Sequence, residues 1–271
     1  MANSASTYNS LIRDSLQRTA QLVVPSLPFA GLFTLAVGVL VFAAGALPEG
    51  GGGSAAFALL AFATLFAHSL FSVSMYHAVV PVEAGKLMAA WKLSLSWILV
   101  IVVAAIGASI IVLFFALIGA SLGVGASEEG QTITDMTAEM RESGTFWPLF
   151  GLFIAMLLGV FWFAVRMMTF AAATSARGSV HVFRTWYWTK GHFRLLAPVM
   201  VLLVALPIVG FGYLGSVATT AFVGVPETPW QEGLSSAINM IVLLPSAWLG
   251  HGFAASVYTA VAPENGADAG S

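Results

Sequence analysis

Four side chains able to carry charge lie inside strongly apolar stretches of this sequence: His68, His77, Arg166 and His251. An ionisable group in hydrocarbon is costly, so each is a candidate functional site by default. No Asp or Glu stands in the middle of those stretches. Proton- and sodium-coupled carriers need a carboxylate that titrates or binds the ion, so ion-coupled transport is disfavoured. His68, beside Ser69 and Ser72, has no second and third ligand at suitable spacing. It reads as a neutral ring hydrogen-bonded between helices, and neither a metal nor a cofactor is expected. Arg166 lies eleven residues before Arg177, within reach of the membrane interface. It reads as a snorkelling side chain, or as the holder of an anionic lipid.

One motif invites a catalytic reading. Gly119-Ala-Ser121-Leu-Gly123 matches the G-x-S-x-G pattern of serine hydrolases, and His251 offers a base. Depth argues against the pair. Ser121 closes the third apolar stretch on one side of the bilayer, and His251 lies about 13 Å from the opposite end of the sixth. No catalytic residue is expected, and the enzyme reading ranks last.

These residues need elements that lipid can solvate. Hydrophobic residues make up 59 % and charged residues 8 % of the 271, with mean hydropathy +0.92. A soluble domain carries roughly a quarter charged residues. A net charge of −2 gives no nucleic-acid footprint. Without cysteine, disulfides and thiolate chemistry are excluded. The run 22–46 is too long for a signal-peptide core of about 7–15 residues and reads as a span.

Six stretches meet the ~20-residue requirement of a spanning helix: about 20–46, 54–80, 93–123, 146–173, 195–219 and 234–261. The fold class expected is all-α integral membrane, with a cytoplasmic amphipathic segment at 1–19, a membrane domain at 20–261 and a disordered tail at 262–271. Arg13 and Arg18, then Lys86 and Lys92, then Arg177, Arg184, Lys190 and Arg194 occupy alternate breaks. By the positive-inside rule, both termini face the cytoplasm of a bacterial inner membrane. The acidic break at 124–145 is long enough for one surface helix over 132–142.

The spans fall into three units of about 90 residues, each a short basic segment followed by two spans. Their starts, at Leu11, Gly85 and Val182, repeat basic residues at similar spacing, and 78–85, 171–178 and 259–266 each close on glycine. In the first start Tyr8, Leu11, Ile12 and Leu16 share a helical face. In the third, Phe183, Trp186 and Tyr187 do, leaving Arg184 and Lys190 to reach lipid phosphates.

The stretch FRTWYWTKGHFRLLAP from Phe183 resembles the x-W-x-L-T-K-G-x-x-W-R-L segment of a group of bacterial six-span proteins. That group comprises the YciC-like proteins and the membrane domain attached to glycerophosphoryl diester phosphodiesterases. Trp186, Thr189, Lys190, Gly191 and Arg194 match; Trp188 stands where that group has Leu. The resemblance implies the six-span fold and not the phosphodiesterase chemistry, which belongs to a soluble barrel that this sequence lacks.

Gly31, Gly38 and Gly45, and again Gly151, Ala155 and Gly159, recur at helical spacing. Such stripes let helices approach closely, inside the bundle or against a second copy. Pro25, Pro28, Pro207 and Pro245 can kink spans around a cavity. The leading expectation is a non-enzymatic membrane protein acting through lipid or protein contacts as scaffold, assembly factor or membrane-homeostasis component. Its lipid-binding residues would be Arg166, Arg184, Trp186, Lys190 and Arg194. Its partners would be membrane lipids, anionic ones included, and a membrane protein or further copies of itself. The alternative is a passive channel or carrier for a small amphiphile.

Overall fold

A computed structural model describes residues 4–48, 50–82, 84–121 and 140–262, with no strand among them. The helices are α1 (Ser4–Ala46), α2 (Gly51–Val79), α3 (Lys86–Ser121), α4 (Phe146–Met167), α5 (Phe170–Arg177), α6 (Arg184–Trp188), α7 (Phe193–Met200), α8 (Leu206–Phe222) and α9 (Pro229–Val261). A π-helical turn, Val201–Ala205, joins α7 to α8. Six helical stretches are long and apolar enough to cross a membrane: Thr7–Ala46, Gly51–Val79, Lys86–Ile110, Phe146–Arg177, Phe193–Phe222 and Pro229–Val261. They coincide with the six stretches read from hydropathy. The tail from 263 and the segment 122–139, with most of the expected surface helix, lie outside the described residues.

Local chemistry explains the boundaries. The α9 start is a capping box: Gln231 N–H donates to Thr228 Oγ1 at 3.4 Å and Thr228 N–H to Gln231 Oε1 at 3.1 Å, with Pro229 in the first turn. Gly50, at φ 123°, starts α2, and the following glycines belong to that helix. No break marks residue 19, because α1 runs unbroken through the basic segment into the first span. Of the three starts that look alike in sequence, the first two each head a helix that runs on into its span, α1 and α3, whereas the third is a five-residue helix followed by a turn.

The residues form two compact units, Met1–Trp97 with Val165–Ser271, and Ile98–Ala164. The first has a core of Leu22, Ala30, Phe71, Met75 and Leu244. Its most extensive contact is between α1 and α9. Glycine permits it: a methyl added at Gly38 would meet the Gly233 carbonyl oxygen at 3.1 Å and Ala237 Cβ at 3.2 Å. A methyl at Gly252 would meet the Ser15 carbonyl oxygen at 2.8 Å. That approach turns α1 so that Ser15 is buried, while Leu16 is 47 % exposed on the outer side. In the second unit Gly107, Gly151 and Gly159 meet nothing within 4 Å.

Candidate functional site

The site begins where the fourth span breaks. Helix α4 ends at Met167 and α5 starts at Phe170. Helix α5 is closed by Gly178, which takes φ 61° and donates its N–H to the Thr174 carbonyl at 3.0 Å. The chain then folds back along the span it has just left. His181 N–H donates to Thr174 Oγ1 at 3.3 Å, and Ser179 Oγ lies 2.8 Å from His181 Nε2. Thr185 Oγ1 donates to the Val182 carbonyl at 2.8 Å. Thr189 Oγ1 donates to the Arg166 carbonyl at 3.0 Å, binding the returning segment to the helix break. Gly191, at φ 87°, turns the chain into α7.

Two arginine–tryptophan stacks hold this segment. Arg166 Cζ lies 4.9 Å from the Trp186 ring centroid, and Arg177 Cζ 4.8 Å from that of Trp188. Arg177 Nε also donates to the Tyr258 hydroxyl at 3.4 Å. Each stack desolvates a cation against a π face, which rewards contact more strongly than in water. From the other side, the Tyr8 hydroxyl donates to the Arg194 carbonyl at 2.7 Å. Arg184, Lys190 and Arg194 are exposed together with Phe183 and Tyr187. The segment is therefore a basic, aromatic outer surface carried on a buried threonine seam.

Two expectations change here. Arg166 does not extend towards solvent; it is 6 % exposed, because the helix break and the returning chain enclose it. Trp186 does not share an open face with Phe183 and Tyr187. It turns inward onto Arg166, while its two neighbours stay outside. Arg166 and Trp186 are thus brought together, and Arg184, Lys190 and Arg194 are exposed on the same segment.

His68 and His251 occupy a second cluster in the same unit, linked through Phe33 and Phe71. His251 Nδ1 is 2.8 Å from the Ala247 carbonyl and Nε2 is 3.0 Å from Ser72 Oγ. A carbonyl only accepts, so Nδ1 carries the proton, and in the neutral ring Nε2 accepts from Ser72. The connectivity is that of a serine–histidine pair, but Ser72 is sealed at 0 % exposure and offers a substrate no approach. His68 packs edge-on between Phe33 and Trp97, with centroids 5.0 and 5.4 Å away. Beside it Ser94 Oγ donates to Ser69 Oγ at 2.9 Å. The side chain of Ser121 lies outside the described residues. Among the described residues no group of His, Asp and Glu is arranged to hold a metal.

Sequence reasoning missed the Ser72–His251 and Arg177–Tyr258 pairs and the bond from Trp248 Nε1 to Ser26 Oγ at 3.0 Å. Each joins residues far apart in the chain, and no local pattern announces such a pair. A cleft of about 450 Å³ opens between α1, α7 and α9, with Leu11, Leu195 and Val257 beside Ser10, His192 and Ser256.

Fold and site together define an all-α, multi-pass membrane protein by helix length and composition, with a stacked basic-aromatic segment between its fourth and fifth spans. Compared with known proteins, the chain matches no protein-family model, no curated protein and no solved structure.

Proposed function

We propose that this protein is a non-enzymatic component of a bacterial inner membrane that acts through lipid or protein contacts, holding anionic lipid at its basic-aromatic segment. The observation that carries the reading is the exposure of Arg184, Lys190 and Arg194 on the same segment as tryptophans already fixed by Arg166 and Arg177. A surface braced in this way loses little side-chain freedom when lipid arrives. Each exposed basic residue contributes on the order of 1 kcal/mol near an anionic surface. The likeness of Trp186, Thr189, Lys190, Gly191 and Arg194 to the YciC-like and phosphodiesterase-associated membrane domains adds support for a membrane-embedded role without chemistry of its own.

Changing Arg184, Lys190 and Arg194 together to Gln lowers the amount of co-purified anionic lipid while the protein stays monodisperse. Unchanged lipid content in a folded triple variant defeats the reading. The orientation follows from the charge distribution, with both termini in the cytoplasm. A reporter active only outside the cytoplasm therefore stays silent when fused after Ser271, and a signal there reverses the topology.

A second reading, a passive carrier for a small amphiphile, is favoured by the cleft between α1, α7 and α9, whose walls offer both apolar and hydroxyl groups. Saturable binding of a neutral amphiphile that is lost in Leu195→Trp would promote it.

A further inference from the structure

We infer that Arg166, resting on Trp186, holds one phosphate-bearing anion as its counter-charge, at a site distinct from the diffuse lipid surface outside it. The inference rests on the lipid reading above and narrows it to one stoichiometric site. Arg166 as a residue is 6 % exposed, and its Nε is sealed from solvent. A buried charge without a partner is among the costliest features a protein can keep. The ion pair found among the described residues joins Arg18 to Asp14 at 3.0 Å, remote from Arg166 in the chain. Arg166 Nε is buried with no hydrogen-bond partner, and three residues on, at the helix break, Thr169 Oγ1 is buried without one too.

The stack explains why the missing partner is an oxyanion. Trp186 occupies a face of the guanidinium and satisfies none of its N–H groups, which radiate in the plane of the fork. A fork held flat by an aromatic ring is prepared for bidentate contact with a phosphate, and the unpartnered Thr169 hydroxyl, three residues on, is a further donor at the helix break. Depth is also suitable. Arg166 is eleven residues inside Arg177, about 16 Å along a straight helix. The returning segment nevertheless brings exposed Arg184 and Lys190 to the neighbourhood of Trp186 and Thr189, which touch Arg166. The polar boundary therefore reaches Arg166 although the sequence puts it well within a span. A lipid headgroup and free inorganic phosphate share the chemistry required.

The test is native mass spectrometry of the full chain in detergent, washed until diffuse lipid is gone. The wild type retains one phospholipid per chain. Arg166→Gln loses it, and Arg166→Lys, which keeps charge but not the fork, weakens retention about tenfold or more. Thr169→Val covers the case in which the arginine variants fail to fold. Without a ligand it removes an orphan hydroxyl and leaves retention unchanged; with one it reduces retention. The triple Gln variant at Arg184, Lys190 and Arg194 keeps the last lipid, which separates this site from the surface. In a parallel arm, delipidated protein is titrated with inorganic phosphate. Arg166-dependent binding of phosphate, with no retained phospholipid, assigns the site to a soluble anion. A retained lipid indifferent to Arg166 and Thr169, or an absence of both ligands, overturns the inference.

Discussion

The two small-residue stripes of this chain, Gly31, Gly38 and Gly45 in the first span and Gly151, Ala155 and Gly159 in the fourth, are used differently, although Gly31 too meets nothing within 4 Å. In the first span Gly38 and Gly45 abut the sixth, where added methyls would press on the Gly233 carbonyl and on Pro229 at 3.1 Å each. In the fourth, Gly151 and Gly159 meet nothing within 4 Å. The same contrast runs through the two units. The first encloses serines, threonines and histidines bonded across spans; the described spanning helices of the second are apolar, with Ile110, Leu113 and Leu158 each more than 60 % exposed. Small residues alone therefore do not bring helices together. They permit close approach, and a partner with its own small residue or free carbonyl must stand opposite.

Substitution can break that contrast. Gly252→Val places a side chain against Thr19 and the Ser15 carbonyl. It is expected to cost about 3 kcal/mol, the upper range for overpacking, whereas Gly159→Val is expected to change stability by no more than about 0.5 kcal/mol. Thermal unfolding of both variants in one detergent checks the difference, and equal losses would erase the distinction between the stripes. A smaller effect sharpens the reading of the polar core. Ser72→Ala leaves His251 Nε2 without its donor. The expected loss is about 1 kcal/mol, as for hydrogen bonds between helices in membranes. A double-mutant cycle with His251→Phe measures the coupling, and additive losses would remove the pair from the account.

Much of this architecture was legible before any coordinates. The spans are long apolar runs interrupted by charge, and hydropathy finds them because unpaired backbone polar groups are intolerable in hydrocarbon. The closure at Gly178 is local and equally readable, while the equally local capping box at Thr228 and Gln231 was not read. The partial failure at the third basic segment is instructive. Helical periodicity grouped Phe183, Trp186 and Tyr187, but the helix there is only five residues long, and the stack on Arg166 turns Trp186 inward.

The sequence by itself determined the solvent, the number of apolar helices and the residues concentrated between the fourth and fifth of them, because those properties are sums over neighbouring residues. Tertiary structure alone decided that Arg166 is enclosed rather than extended, that Ser72 lies beside His251, and that Ser15 is buried. Each of those outcomes depends on what another helix presents at a given height. Side chains bond to whatever packing brings within about 3 Å, and no spacing along one helix contains that information.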